Sequence, residues 1–172
     1  MENKSYTDLM KLAAKYRGEV INETIWIEKS VDVYIAKYFC KNEAIGKEMH
    51  LMILGDNRMT FENKKQVFDF LAKKHEMDWY QSYNSIRDNS RKKNRVPLAG
   101  DLDYIIGERN VLAHCMLDVS KEALELGDGT IRFRRFKNDY QAFDFNEEKL
   151  NLIHKILYDI GTFFKNKLDA NG

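Results

Sequence analysis

A single proline, Pro97, stands in 172 residues. Proline fixes its own φ and removes a backbone donor, so it is a strong helix breaker. A chain nearly without it defaults to long helices. Apolar spacing then decides where they fall. A first helix is expected over about 5–16, stopping near Gly18. A second is expected over about 19–41, with Val20, Thr24, Ile27, Val31, Tyr34 and Tyr38 forming a core stripe. "CKNEAIGKEMHLMILGDNRMT" predicts only a short helical piece around 48–54, ended by "GDN". "FENKKQVFDFLAKKH" predicts a third substantial helix, capped by Thr60, with Val67, Phe70 and Leu71 inward. Further helices are expected over about 76–94 and, after "VPLAG", over about 101–117 with Asp101 as N-cap. Trp26 and Trp79 read as core residues.

The pattern changes after 118. "GDG" at 127–129 and "KND" at 137–139 are turn signals. Between them "TIRFRRFK" alternates, with Ile131 and Phe133 on one face. In "YQAFDF", Tyr140, Ala142 and Asp144 share one face, and Phe143 and Phe145 the other. This predicts a small β-hairpin or meander. Helical spacing then returns, capped by Asn146, with Leu150, Ile153, Leu157, Ile160 and Phe164 as its stripe. The expected fold is mainly α: a helical bundle with a small β-hairpin or meander inserted before the C-terminal helix, as a single domain over 1–172.

Hydrophobic residues make up 44% and charged residues 32%, the balance of an ordinary soluble globular chain. No apolar run approaches the length of a membrane span, and "MENKSYTDLM" has no cationic segment leading into an apolar one, so neither membrane nor secretory signal is expected. Cys40 and Cys115 form no metal-ligand or redox spacing and read as free thiols in a reducing compartment, the cytoplasm. A formal net charge of +1 directs any electrostatic role to local patches. His50, His75 and His154 are isolated, and "GDG" lacks the spaced acids of a calcium loop. With no phosphate-binding glycine loop or nucleophile elbow either, no metal and no cofactor are expected.

The stretch "GERNVLAHCM" is the odd one. At about 100° per residue, Leu102, Ile105, Ile106, Ala113 and Met116 share a face, and Arg109 falls near its middle. Tyr104, Gly107, Val111 and Cys115 form a second apolar strip roughly opposite. Asn110 and His114, four apart, lie together between the strips. A charge in a core stripe must be neutralised or reach water. Glu23, Glu28 and Asp32 are its candidate partners if Arg109 is only a structural ion-pair member.

"RNVLAH", residues 109–114, resembles the RX4–6H motif of the HEPN family (higher eukaryotes and prokaryotes nucleotide-binding domains). The polar Asn after the Arg, the position late on a helix, and the apolar frame "IIGERNVLAHCML" all fit that resemblance. It implies a helical bundle, often homodimeric, and in many members a metal-independent ribonuclease. A subgroup of toxins paired with nucleotidyltransferase antitoxins carries Tyr two residues after the His; here that position is Met116, which puts such pairing in doubt.

The chemistry of metal-free RNA cleavage fits the residue types. His is suited to proton transfer near neutral pH, Arg can hold two phosphate oxygens at once, and Asn110 could orient either. A spacing of five places Arg109 and His114 roughly 140° apart on a straight helix. A two-fold dimer sharing one cleft, with the second apolar strip as its interface, would reunite them. Two basic runs are candidate RNA contacts. "RDNSRKKNR" offers Arg87, Arg91, Lys92, Lys93 and Arg95. "RFRRFK" interleaves Arg132, Arg134, Arg135 and Lys137 with Phe133 and Phe136. The expectation is therefore a HEPN-like endoribonuclease with Arg109, Asn110 and His114 as its site. By family analogy it acts as a homodimer in a toxin, defence or stress setting, with an antitoxin protein as a possible partner. The alternatives are a non-catalytic HEPN-like module binding RNA, a nucleotide or a protein, and an unrelated helical domain.

Overall fold

The structure, a computed structural model, describes residues 5–89, 94–127, 129–137 and 139–169. Among these, seven α-helices and five short strands follow in the order α1 (Tyr6–Phe39), α2 (Glu43–Met49), a π-helical turn (His50–Leu54), α3 (Phe61–His75), α4 (Met77–Gln81), β1 (Asp88–Asn89), β2 (Asn94–Arg95), α5 (Leu98–His114), β3 (Met116–Leu117), α6 (Lys121–Leu124), β4 (Ile131–Lys137), β5 (Asp139–Phe145) and α7 (Glu147–Asp169). The fold is mainly α, with an antiparallel sheet ordered β3-β4-β5 ahead of the last helix.

Several boundaries differ from the sequence reading, each for a physical reason. The two expected N-terminal helices are one, α1, running through Gly18. A helical glycine costs only about 1 kcal/mol against alanine. Buried Leu9, Ala13 and Tyr16 before it and Val20 after it keep the same face inward and outweigh that cost. The stripe holds from Val20 to Tyr34, but Tyr38 is exposed, as is Trp26 at 62%. The short piece expected around 48–54 begins earlier, at Glu43, because Asn42 accepts from the Ala44 amide at 2.8 Å; Gly55 ends the following π turn. In α3 Thr60 caps as expected, accepting from the Asn63 amide at 3.3 Å. The inward face, however, carries Phe61, Lys64, Lys65, Phe68, Leu71 and Ala72, while Phe70 is exposed. Two buried lysines disguise that face as a polar one.

The helix expected over 76–94 shrinks to α4. The following segment is held by side chains instead: the Arg87 amide donates to Ser85 Oγ at 2.9 Å, and the chain returns through the antiparallel pair β1–β2. Helix α5 starts at Leu98, since the Pro97 carbonyl already accepts from the amides of Gly100 and Asp101. Asp101 is therefore not the N-cap but a buried first-turn residue. At the other end α5 stops at His114, because Met116 and Leu117 pair with Arg134 and Phe133 of β4.

The chain divides into two compact units, to which α1, α5 and α7 each contribute both ways. The first, residues 1–24 and 107–155, packs Leu9, Val20, Leu112, Ile131, Phe133, Phe145, Leu150 and Ile153. Tyr16 closes it by donating its hydroxyl to the Gly129 carbonyl at 2.9 Å, in a turn where Gly129 takes a φ of 74° that side chains rarely adopt. The second, residues 25–106 and 156–172, centres on Phe68, whose ring meets Tyr34 at 5.0 Å and Phe164 at 5.1 Å. Trp79 stacks between Tyr34 and Phe163 at 5.6 and 4.7 Å. Asn146 caps α7 by accepting from the Lys149 amide at 2.9 Å, and the expected stripe from Leu150 to Phe164 is buried throughout.

Candidate functional site

The last two turns of α5 turn Val111 and Leu112 inward, and Cys115 follows them into the core. Gly107, Asn110, Ala113 and His114 lie exposed on the opposite edge. The expected second strip is thus not a free interface: Val111 and Cys115 are consumed by the chain's own core. The expected first stripe also ends early. Leu102, Ile105 and Ile106 are buried, but Ala113 and Met116 face solvent.

Arg109 is half-buried rather than enclosed. Its Nη1 donates to Asn110 Oδ1 at 3.1 Å, which turns the guanidinium away from the core stripe and toward the edge that holds His114. No carboxylate pairs with it among the described residues. Glu28 and Asp32 hold Lys64, Glu23 holds His154, and the adjacent Glu108 holds Lys149 at 2.8 Å. The structural ion pair considered for Arg109 is absent. The side chain of His114, exposed at the helix end, makes no hydrogen bond or ion pair among the described residues. The Arg109 guanidinium is thus bonded to Asn110, and Asn110 and the unengaged imidazole of His114 lie one turn apart on one solvent-facing edge.

A residue that sequence reasoning missed anchors this edge from behind. Arg17 of α1 donates through Nη2 to the Cys115 carbonyl at 2.9 Å and lies 4.9 Å over the Phe133 ring. Nothing local marks Arg17, because its partner lies 98 positions away.

Of the first basic run, the described members Arg87 and Arg95 are held by the chain's own groups. Arg87 donates through Nε to Asp101 Oδ1 at 2.6 Å and through Nη2 to the Gly100 carbonyl at 2.8 Å, and it covers the Tyr104 ring at 4.3 Å. Asp101 also accepts from the Tyr83 hydroxyl at 2.7 Å. Arg87 is therefore a structural charge. Arg95 donates to the Ser85 carbonyl at 3.2 Å. Arg91, Lys92 and Lys93 lie outside the described residues.

The second run lies on β4. Arg132 pairs with Asp144 through two bonds of 2.6 and 2.7 Å, which holds the Asp144 carboxyl below the usual carboxylate range. Arg134 pairs with Asp118 at 2.5 Å, and Arg135 donates to Gln141 Oε1 at 2.8 Å. Phe133 is core, whereas Phe136 is exposed, opposite an exposed Tyr140 that no local sequence signal marks as a surface residue.

In the other unit, an apolar groove of about 490 Å³ is lined by Val33, Ala36, Cys40, Gly46, His50 and Leu51. It shares no residue with the Arg109–His114 edge. Among the described residues no group of three His, Cys, Asp or Glu side chains is placed to hold a metal ion, and no helix is long and apolar enough to cross a membrane. Cys40 and Cys115 are unbonded to each other. No protein-family model, no curated protein and no solved structure matches the chain.

Proposed function

We propose that this chain is a HEPN-like, metal-independent endoribonuclease whose reacting groups are Arg109, Asn110 and His114. The observation that carries the reading is the Arg109–Asn110 hydrogen bond, one turn before an exposed and unengaged His114. In the reaction His114 takes the proton of a ribose 2′-hydroxyl, whose oxygen attacks the adjacent phosphorus. The bond from phosphorus to the 5′-oxygen breaks, leaving a 2′,3′-cyclic phosphate. The departing oxygen takes up a proton, from the second copy's imidazole in a shared cleft or from water. Arg109 stabilises the charge that builds on the phosphoryl oxygens, and Asn110 holds the guanidinium in place.

A homodimer is part of this reading. With Val111 and Cys115 consumed internally, the edge that a second copy would meet is Gly107, Asn110, Ala113 and His114. Gly107 there has no heavy atom within 4 Å of where a side chain would begin, so another backbone can approach closely. A toxin, defence or stress role, an antitoxin partner and a cytoplasmic setting rest on the family resemblance and on the cysteine pattern.

Labelled total RNA incubated with EDTA tests the proposal. Wild type cleaves; Arg109→Ala and His114→Ala keep the fold and lose cleavage. Absence of cleavage by wild type, with retained RNA or nucleotide affinity, replaces the enzyme by the binding-module reading.

A further inference from the structure

We propose that the solvent face of the β4–β5 hairpin is a stacking platform for single-stranded RNA, built on Phe136 and Tyr140. The choice of RNA rests on the ribonuclease reading; the platform rests on the geometry of the hairpin.

Phe136 and Tyr140 are Cα partners across the two strands, so their side chains leave the same face of the sheet. They are 76% and 64% exposed, with ring centroids 6.3 Å apart at 68°. Paired aromatics this exposed bury little inside the chain. Strand alternation places Arg134 on their face, and its guanidinium lies 5.4 Å from the Tyr140 ring centre.

The charges at the exposed tip of the hairpin favour a polyanion over an apolar protein surface. On the aromatic face Arg134 is paired with Asp118; Arg135 and Lys137 flank Phe136 in sequence, leave the opposite face of the ribbon and are exposed as it is. Arg135 donates to a neutral amide, and Lys137 makes no ion pair among the described residues. Arginines interleaved with exposed aromatics are the combination that binds single strands, because every base has a face to stack and every linkage a charge to neutralise. The same register sets Arg134 opposite Met116, two residues beyond His114. A strand stacked on the hairpin therefore leads toward the end of α5.

The test measures affinity for a fluorescent 2′-O-methyl oligouridine. That oligomer lacks the attacking hydroxyl, so the wild-type protein can be used unaltered. Phe136→Ala and Tyr140→Ala should each weaken binding about tenfold. Both should leave the salt dependence and the melting temperature in place, since neither side chain is part of the core. Arg135→Gln and Lys137→Gln should instead each flatten the slope of log affinity against log salt by about 0.7. A duplex of equal length should be indifferent to the two aromatic changes. The proposal is overturned if wild type does not bind the oligomer at micromolar concentration. It is also overturned if the aromatic variants bind like wild type, or if duplex and single strand weaken equally. Cleavage of unmodified RNA is scored separately. Cleavage with no effect of Phe136→Ala or Tyr140→Ala on binding removes the platform alone. Stacking-dependent binding without cleavage removes the ribonuclease reading alone.

Discussion

Arg17 and Cys115 are joined by one hydrogen bond of 2.9 Å from a guanidinium to a backbone carbonyl. The carbonyl belongs to the residue after His114, where helical carbonyls run out of successor amides. A cation there also opposes the negative end of the helix dipole. Arg17→Met keeps an apolar stem over Phe133 and removes the donor. It should lower unfolding free energy by about 1–2 kcal/mol at unchanged m-value in urea. If the ribonuclease reading holds, kcat should fall more than KM rises, because the imidazole loses its fixed backbone rather than its substrate contacts. A variant as stable and as active as the parent refutes this role.

Gly18 and Gly107 lie inside helices and face solvent. Beyond their own helix and chain neighbours, no heavy atom comes within 4 Å of where a Cβ would sit on either. Gly18→Ala should therefore stabilise the chain by about 0.5–1 kcal/mol, by narrowing the unfolded ensemble. Gly107→Ala should do the same for an isolated chain. If a second copy packs on that edge, the added methyl should also raise the dimer dissociation constant. Thermal melts and sedimentation at several concentrations separate the two effects, and unchanged association would take Gly107 out of any interface.

Tyr34, Tyr80 and Tyr83 each donate a hydroxyl to a carboxylate: Glu76 at 2.8 Å, Asp69 at 2.7 Å and Asp101 at 2.7 Å. Burial first, and then these acceptors, push all three phenols well above their ordinary value. A folded-state pKa raised above the unfolded one means the stabilisation is whole below about pH 10 and is lost as pH rises beyond it. Tyrosinate absorbance should thus appear in two stages, with the buried phenols ionising only as the chain unfolds. Simultaneous ionisation of all nine tyrosines before unfolding would contradict it.

Asp101→Asn should be among the costliest polar changes, at about 2–4 kcal/mol, because it strips the Arg87 guanidinium of its buried counter-charge. Arg87→Gln should likewise lower stability without altering the salt dependence of RNA affinity. A double-mutant cycle between the two positions should show coupling well above that of an exposed pair. Additive costs would mean that the two charges act independently.

What could be read in the sequence was local. Thr60 and Asn146 declare their helices because a cap bonds amides two or three residues away, and the α7 stripe is visible because all its members are apolar. Lys64 and Lys65 hid the inward face of α3, since Glu28, Asp32 and Asp103, which help make these buried lysines tolerable, lie far away in the chain. The wheel gave the angle of Arg109 correctly but not the reach of its side chain, which bends to Asn110. Arg17 and the Tyr140 surface were invisible for a similar reason. One depends on a partner far along the chain, and the other on what does not cover it.

Lys64 places its Nζ 2.5 Å from Glu28 and 3.0 Å from Asp32, with Lys64 and Asp32 almost wholly enclosed. Removing any one member leaves the others charged and poorly hydrated. Sequence drift at these positions should therefore be concerted. In a diverged descendant of this chain, an apolar residue at 64 should come with the loss of the acid at 32, and usually at 28 as well. A lysine kept at 64 should come with an acid one helical turn from another. The three positions form one heritable unit, spread across 36 places in the chain.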